Sequence, residues 1–271
     1  AYAAPQMTQI ASLSRSTAFE IVNPGGCSRA LLLCDHASNA VPPEISGGDL
    51  GLPPEEMGRH IAYDVGARGV TLELARQMDA VAVLGCFSRL IIDPNRGEDD
   101  PTLVMQLYDG TIVPANRNVT PQETERRLEL LHRPYHAAIE TQIARLEGLG
   151  RSPALFAIHS FTPRFVGRSA RPWHVGVLWH HDARISDPLL ERLRAEPDLC
   201  VGDNQPYAGQ LEGDTLSRHG TGRGLEHVLI ELRHDGIATE EAQRLWGARL
   251  APILTSIIGE DEPRHEEMRH G

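Results

Sequence analysis

Six short apolar runs, nearly continuous rather than alternating, constrain this chain most: Ala30–Asp35, Ala80–Leu84, Leu90–Asp93, Leu155–His159, Val175–Trp179 and Val228–Leu232. Successive side chains of a strand point to opposite faces, so a strand can be apolar throughout only if both faces are covered. The segments between the runs carry helix signals. Thr120-Pro121-Gln122-Glu123 is a capping box with proline in the first turn. It opens a helix toward Glu147 that Pro134 should kink or divide. Thr239-Glu240-Glu241 opens another, with Leu245, Trp246, Arg249 and Leu250 spaced to give one apolar stripe and a polar edge. Strands alternating with helices predict the α/β class, a three-layer α/β/α sandwich around a mixed, mainly parallel sheet. No repeat or long linker divides the 271 residues, so one domain is expected, with its core at about 20–258 and a charged, frayed tail over 260–271. The loops around 94–119 and 203–224 are long, and long ordered loops in such domains often carry function.

Charge removes several chemistries. All 26 basic residues are arginines, against 37 acidic ones. Without lysine there is no Schiff base, no pyridoxal-phosphate linkage and no P-loop amine. A formal charge of −11 argues against nucleic acid and anionic membranes as partners. No apolar stretch approaches the roughly 18 residues of a membrane span. The first residues lack a basic segment followed by an apolar one, so they do not read as a signal peptide. Cys27, Cys34, Cys86 and Cys200 are scattered, two of them in apolar runs, which suits reduced thiols and a cytoplasmic location. The sequence leaves the oligomeric state open, a homo-oligomer included. Thirteen histidines are the positive signal, since imidazole is both a metal ligand and a proton carrier near neutral pH.

Active sites of open α/β sheets gather at the carboxyl ends of strands. Asp35-His36 follows the first run, Asp93-Pro94-Asn95-Arg96 the third and His159-Ser160-Phe161 ends the fourth, while Glu231 lies inside the sixth. Two strand-end histidines with a carboxylate suit a catalytic zinc site that keeps a position open for water. An isolated strand-end histidine is more often structural, and HExxH is absent here; the convergence of several groups is what points to a site. Glu231 falls among Val228, Leu229, Ile230 and Leu232, and a carboxylate buried there is either functional or paired, with Arg233 or Arg223 as partner. Arg89, Asn95 and Arg96 bracket the third run and could grip an anion, or pair with Asp93, Glu98 or Asp99. His132 and His136 share a helix face, disturbed by Pro134, and His132 reads as structural. Asp182 could orient a neighbouring histidine in His180-His181-Asp182. Gly220–Gly224 does not meet the dinucleotide fingerprint, and no GxSxG elbow is present.

The series Asp35-His36-Ala37-Ser38-Asn39, Ser88–Arg96, Arg133-Pro134-Tyr135-His136, Ile158–Phe161 and Asn204-Gln205-Pro206-Tyr207-Ala208-Gly209 resembles, in order, the N-formylglutamate amidohydrolase family over roughly residues 20 to 255. That family is similar to the zinc carboxypeptidases, which implies a phosphorylase/hydrolase-like fold. The resemblance implies His36 and His159 as ligands of Zn2+ (or another divalent ion) and Glu231 as the glutamate that assists the attacking water. It implies Asn95 and Arg96 as the grip on a substrate carboxylate, with His136, Asn204 and Tyr207 in the matched substrate-binding segments. Carboxypeptidases carry a glutamate three residues after the first histidine ligand, where this chain has Asn39; Asp64 and Glu44 are the alternatives for the third ligand, with Asp64 preferred. The implied reaction is metal-assisted hydrolysis of a small anionic substrate, N-formyl-L-glutamate to formate and glutamate, a step of histidine degradation, with Arg89 steadying the developing oxyanion. The competing expectations are another N-acyl amino acid or peptide as substrate, and a non-catalytic anion-binding protein.

Overall fold

A computed structural model describes residues 17–209 and 211–259, and the backbone of 12–15. The tail expected to fray, 260–271, lies outside the described residues. Among the described residues there are ten strands: β1 (Ser12–Arg15), β2 (Phe19–Val22), β3 (Ala30–Cys34), β4 (Val81–Gly85), β5 (Leu107–Tyr108), β6 (Thr111–Ile112), β7 (Ala154–Phe161), β8 (Val175–Leu178), β9 (Val201–Asp203) and β10 (Glu226–Arg233). The helices are α1 (Pro54–Met57), α2 (Ala67–Gln77), α3 (Pro121–Arg127), α4 (Arg133–Gly148), α5 (Ser186–Arg194), α6 (Thr215–His219) and α7 (Glu240–Ile258).

Eight strands form one sheet in the order β1-β2-β4-β3-β7-β10-β8-β9. The central strands β4, β3, β7 and β10 run parallel, β8 joins β10 antiparallel, and β1 and β2 close the other edge antiparallel. The continuous apolar runs are explained by two cores. Leu32, Phe156, Ile158, Val228 and Ile230 face one side and pack with α2, α5 and α7; Leu31, Leu33, Leu155, Ala157 and Leu229 face the other and pack with α4. This is the expected three-layer sandwich with a mixed, mainly parallel sheet.

Five of the six runs are strands. Leu90–Asp93 is not; it is a buried turn. Its apolar side chains enter the α4-side core, while side chains take the place of a ladder for its carbonyls. Asn116 Nδ2 donates to the Leu90 carbonyl at 2.7 Å, and the buried Arg127 Nη1 donates to that of Ile91 at 2.8 Å. Burial without a neighbouring strand therefore mimics a strand in the sequence.

The capping box holds, with the Thr120 side chain accepting from the Glu123 N–H at 3.2 Å. The expected division of the following helix occurs as a π-helical turn over Leu128–His132, and Pro134 then sits in the first turn of α4, where its missing N–H is tolerated. Thr239 caps α7. The stripe expected from Leu245 is rotated: Leu245 is exposed, and Gly247, Leu250, Ala251, Leu254 and Ile258 are buried. A Cβ on Gly247 would meet Glu73 Cγ at 2.6 Å, so the close approach of α2 fixes the buried side of α7.

Candidate active site

The parallel strands deliver their chemistry to one edge. His36 follows β3, His159 lies in the last turn of pleat of β7, and Glu231 on β10 is the register partner of His159. Asp64 comes from the segment leading into α2 and is tied to β3 by its N–H, which donates to the His36 carbonyl at 2.9 Å. Gly176 on β8 pairs with Glu231 on its other side. A Cβ there would collide with the Gln205 carbonyl, so only glycine lets the 204–207 loop lie against β8 beside the carboxylate.

His36, Asp64 and His159 are all buried and offer ligand atoms that lie within 4.8 Å of one another. His159 Nδ1 is 2.9 Å and His36 Nδ1 is 3.4 Å from the same Asp64 Oδ2. The other nitrogen of each ring is anchored. His36 Nε2 meets Asp93 Oδ1 at 2.6 Å, and His159 Nε2 meets Asp35 Oδ2 at 2.8 Å. A carboxylate can only accept, so both Nε2 atoms carry protons and both Nδ1 atoms turn toward Asp64. His36 Nδ1 has no hydrogen-bond partner. Asp35 is held in turn by the Tyr135 hydroxyl at 2.9 Å and the Thr215 hydroxyl at 2.7 Å.

The local charge calls for a cation. Asp35, Asp64 and Asp93 are buried beside one half-buried guanidinium, that of Arg89. Burial alone would raise the Asp64 carboxyl, but His36 and His159 outweigh it and hold the carboxyl well below its ordinary range. Burial would likewise lower His159, yet its bonds to Asp35 and Asp64 hold it well above the usual imidazole value. The surrounding carboxylates thus favour a positive charge where an orphaned His36 nitrogen and a shared Asp64 oxygen converge. Two imidazoles and a carboxylate form a donor set suited to Zn2+, and also to iron or manganese. The residues fit a divalent metal.

Glu231 opens into the same cavity, of about 330 Å³, and its Oε2 has no hydrogen-bond partner. Burial pushes its carboxyl up to about 7. The alternative arginine partners are engaged elsewhere: Arg233 with Asp235 at 2.8 Å and Arg223 with Glu147 at 3.6 Å.

Arg89, Asn95, Arg96 and Tyr207 also line the cavity. Arg89 makes the expected structural pair with Asp93, Nη2 to Oδ2 at 2.7 Å, and leans on Asp64 at 3.5 Å. Asn95 is fixed by its Oδ1, which accepts from the Thr215 N–H at 3.1 Å. Arg96 donates to Thr102 Oγ1 and to the Asn95 carbonyl, and makes no ion pair among the described residues. His136 and Asn204 are not brought to the cavity. His136 Nε2 donates to the Pro94 carbonyl at 3.0 Å, and its Nδ1 accepts from His219 Nε2 at 2.8 Å, so it braces the segment before Asn95. Asn204 Oδ1 accepts from the N–H groups of Trp179 and Gly209, fastening its own loop. Glu44 and Asn39 are exposed, and the Asn39 amide donates to the Met57 carbonyl. Asp182 bonds Arg184 and stands away from the cavity.

Several lining residues had no sequence signal, among them His60, Tyr108 and Asp214. The supporting roles of Asp35 and Asp93 did have one, since each stands in a run-end motif, but their contacts are visible only in three dimensions.

A mixed α/β sandwich with a buried His–Asp–His set and a free carboxylate at its strand ends defines the class: an α/β protein built around a candidate metal site. More specifically, the chain belongs to the N-formylglutamate amidohydrolase family, whose model matches residues 28–238. It is 27% identical over 161 residues to an N-formylglutamate deformylase of Pseudomonas putida, covering 54% of this chain and 59% of that enzyme. The match thus spans less than two thirds of the curated relative's length. Among solved structures, a gene product from Agrobacterium tumefaciens superposes with a TM-score of 0.83 at 31% identity, covering 89% of this chain and 94% of that one. N-formylglutamate amidohydrolase from Ralstonia eutropha JMP134 has the same fold, with a TM-score of 0.61 at 21% identity over 89% of this chain and 99% of the other.

Proposed function

We propose that this protein is a metal-dependent amidohydrolase that splits N-formyl-L-glutamate into formate and L-glutamate. The observation that carries the reading is the convergence of His36 Nδ1, His159 Nδ1 and Asp64 Oδ2 beside the free Glu231 carboxylate. When bound by His36, Asp64 and His159, a divalent ion such as Zn2+ supplies Lewis acidity to the amide oxygen and lowers the pKa of water.

The chain's own groups do the rest. Water adds to the amide carbon, the C–N bond breaks, and the products are a carboxylate and an amine. Glu231 accepts the water's proton and returns it to the departing nitrogen; a carboxyl raised to about 7 is suited to both transfers near neutral pH. Arg96, with no ion pair of its own among the described residues, holds a substrate carboxylate beside Asn95. Arg89 orients Asp93, and through it His36, and adds positive potential to the chamber where the oxyanion develops. Asp35 and Asp93 keep the two imidazoles in the tautomer that leaves Nδ1 free to ligate.

Incubating the purified protein with N-formyl-L-glutamate and quantifying both products tests this. Equimolar formate and glutamate are expected, and no release of either overturns the assignment.

A further inference from the structure

The loop after β7 and the loop after β9 meet at one guanidinium. Arg171 lies against three aromatic rings, with its Cζ 4.1 Å from the centroid of Phe165, 4.9 Å from that of Tyr207 and 5.8 Å from that of Phe161. Its Nη1 donates to the Tyr207 hydroxyl at 3.0 Å and to the Thr162 carbonyl at 3.2 Å. Phe161, Thr162 and Tyr207 line the catalytic chamber, and Arg171 touches all three without lining it. Arg171 makes no ion pair among the described residues, so its charge faces aromatic rings and neutral oxygens.

Both ends of this bridge are fixed at the backbone. The Arg171 N–H donates to the Pro163 carbonyl at 2.9 Å, and the Arg171 carbonyl accepts from Arg233 Nη1, at the end of β10, at 3.2 Å. On the other side, Asn204 Oδ1 accepts from the Trp179 and Gly209 N–H groups and fastens the loop that carries Tyr207. The Tyr207 side chain is looser, with 36% of the residue exposed, and the bond from Arg171 is the one its hydroxyl makes among the described residues.

The direction of that bond decides what the hydroxyl can do. A guanidinium only donates, so the Tyr207 oxygen accepts and its hydrogen is left for another acceptor. Burial and the Glu231 carboxylate push the phenol above its ordinary pKa, against the pull of Arg171, so the hydroxyl keeps its proton near neutral pH. A substrate oxygen in the chamber that Tyr207 lines can take that hydrogen bond.

We propose that Arg171 is a positioning residue, which clamps the Tyr207 ring at the chamber wall and reserves the Tyr207 hydroxyl as a hydrogen-bond donor to the substrate. The inference deepens the hydrolase reading given above and rests on it.

A double-mutant cycle tests it, on formate release from N-formyl-L-glutamate by the metal-loaded protein, Arg171→Met, Tyr207→Phe and the two combined. Methionine keeps an unbranched apolar chain against the rings and removes the charge and the donors. Each single substitution should lower kcat/KM about tenfold, as for one lost hydrogen bond. In the Tyr207→Phe background, Arg171→Met should cost no more than about threefold, because the hydroxyl it acts through is already gone. Arg171→Ala, carried through the same cycle, should behave alike, so the result does not depend on how methionine packs. Arg171→Lys, which restores a cation and a donor, should recover kcat/KM about threefold or more over Arg171→Met. A general loss of folded protein lowers activity equally with and without the Tyr207 hydroxyl. Equal losses in the two backgrounds, no loss at all, or no recovery with lysine overturn the clamp and leave deformylation standing. No formate from the parent protein overturns the hydrolase reading and this inference with it.

Discussion

Glu231 lies directly beside His159 across the parallel ladder that joins β10 to β7. The pairing puts the free carboxylate and one imidazole of the His–Asp–His set on neighbouring strands of one rigid sheet. Sheet register, rather than loop conformation, fixes their separation, which favours precise positioning of a reacting centre.

Glu231→Gln should lower kcat by about 10²–10⁴ while the protein keeps its bound metal, because the variant loses the proton carrier and no ligand. Steady-state formate release with elemental analysis of the same sample checks this. Undiminished turnover contradicts the role.

Asp93→Asn should weaken metal affinity by about 10–100-fold, since the His36 Nε2–H then faces a neutral acceptor. Asp35→Asn should do the same through His159. Competition with a chromogenic chelator reads both, and Glu44→Gln, at an exposed position, serves as the control whose affinity stays unchanged.

Arg96→Ala should raise KM for N-formyl-L-glutamate by about 10–100-fold and change kcat much less, as expected for loss of a charge-assisted grip. A substrate with its α-carboxylate converted to an amide should show little difference between the two proteins. Equal losses on both substrates would mean that Arg96 does not hold that carboxylate.

Acid should destabilise the fold through its buried histidines. Burial lowers His219 to about 4, against about 6.5 in an unfolded chain. The folded state therefore binds fewer protons than the unfolded one between these values, and stability present above pH 6.5 is lost as the pH falls toward 4. For His219 the loss amounts to about 2 kcal/mol by pH 5. Urea midpoints at pH 7.5 and pH 5 should lie closer together in His219→Gln than in the parent. An equal separation in both proteins contradicts the assignment.

The sheet was legible because Leu31–Leu33, Leu155–Ala157 and Val228–Ile230 are apolar on both faces, and both faces are covered. The same criterion misled at Leu90–Asp93, where Asn116 and Arg127 side chains satisfy carbonyls that a neighbouring strand would otherwise satisfy. Sequence proximity cannot reveal such partners, which lie 26 and 36 positions away. Of the candidate site, His36, His159 and Glu231 stood out because polar residues close or interrupt apolar runs. Asp64 entered only because Asn39 stood where a glutamate was wanted, and its geometry depends on a backbone tie to His36. His136 was readable as a site residue from its motif, yet its ring faces Pro94 and His219 rather than the cavity. His60 and Asp214 lie in stretches with no local pattern, and only the folded chain brings them to the chamber.

The central claim is that His36, Asp64 and His159 hold a divalent ion needed for amide hydrolysis. Its most direct test is formate release from N-formyl-L-glutamate, measured with metal content on one sample as purified, after chelation and after Zn2+ is restored. The account predicts about one ion per chain, activity lost with the ion and recovered on its return. Formate release that persists at full rate once the metal has been removed would contradict it.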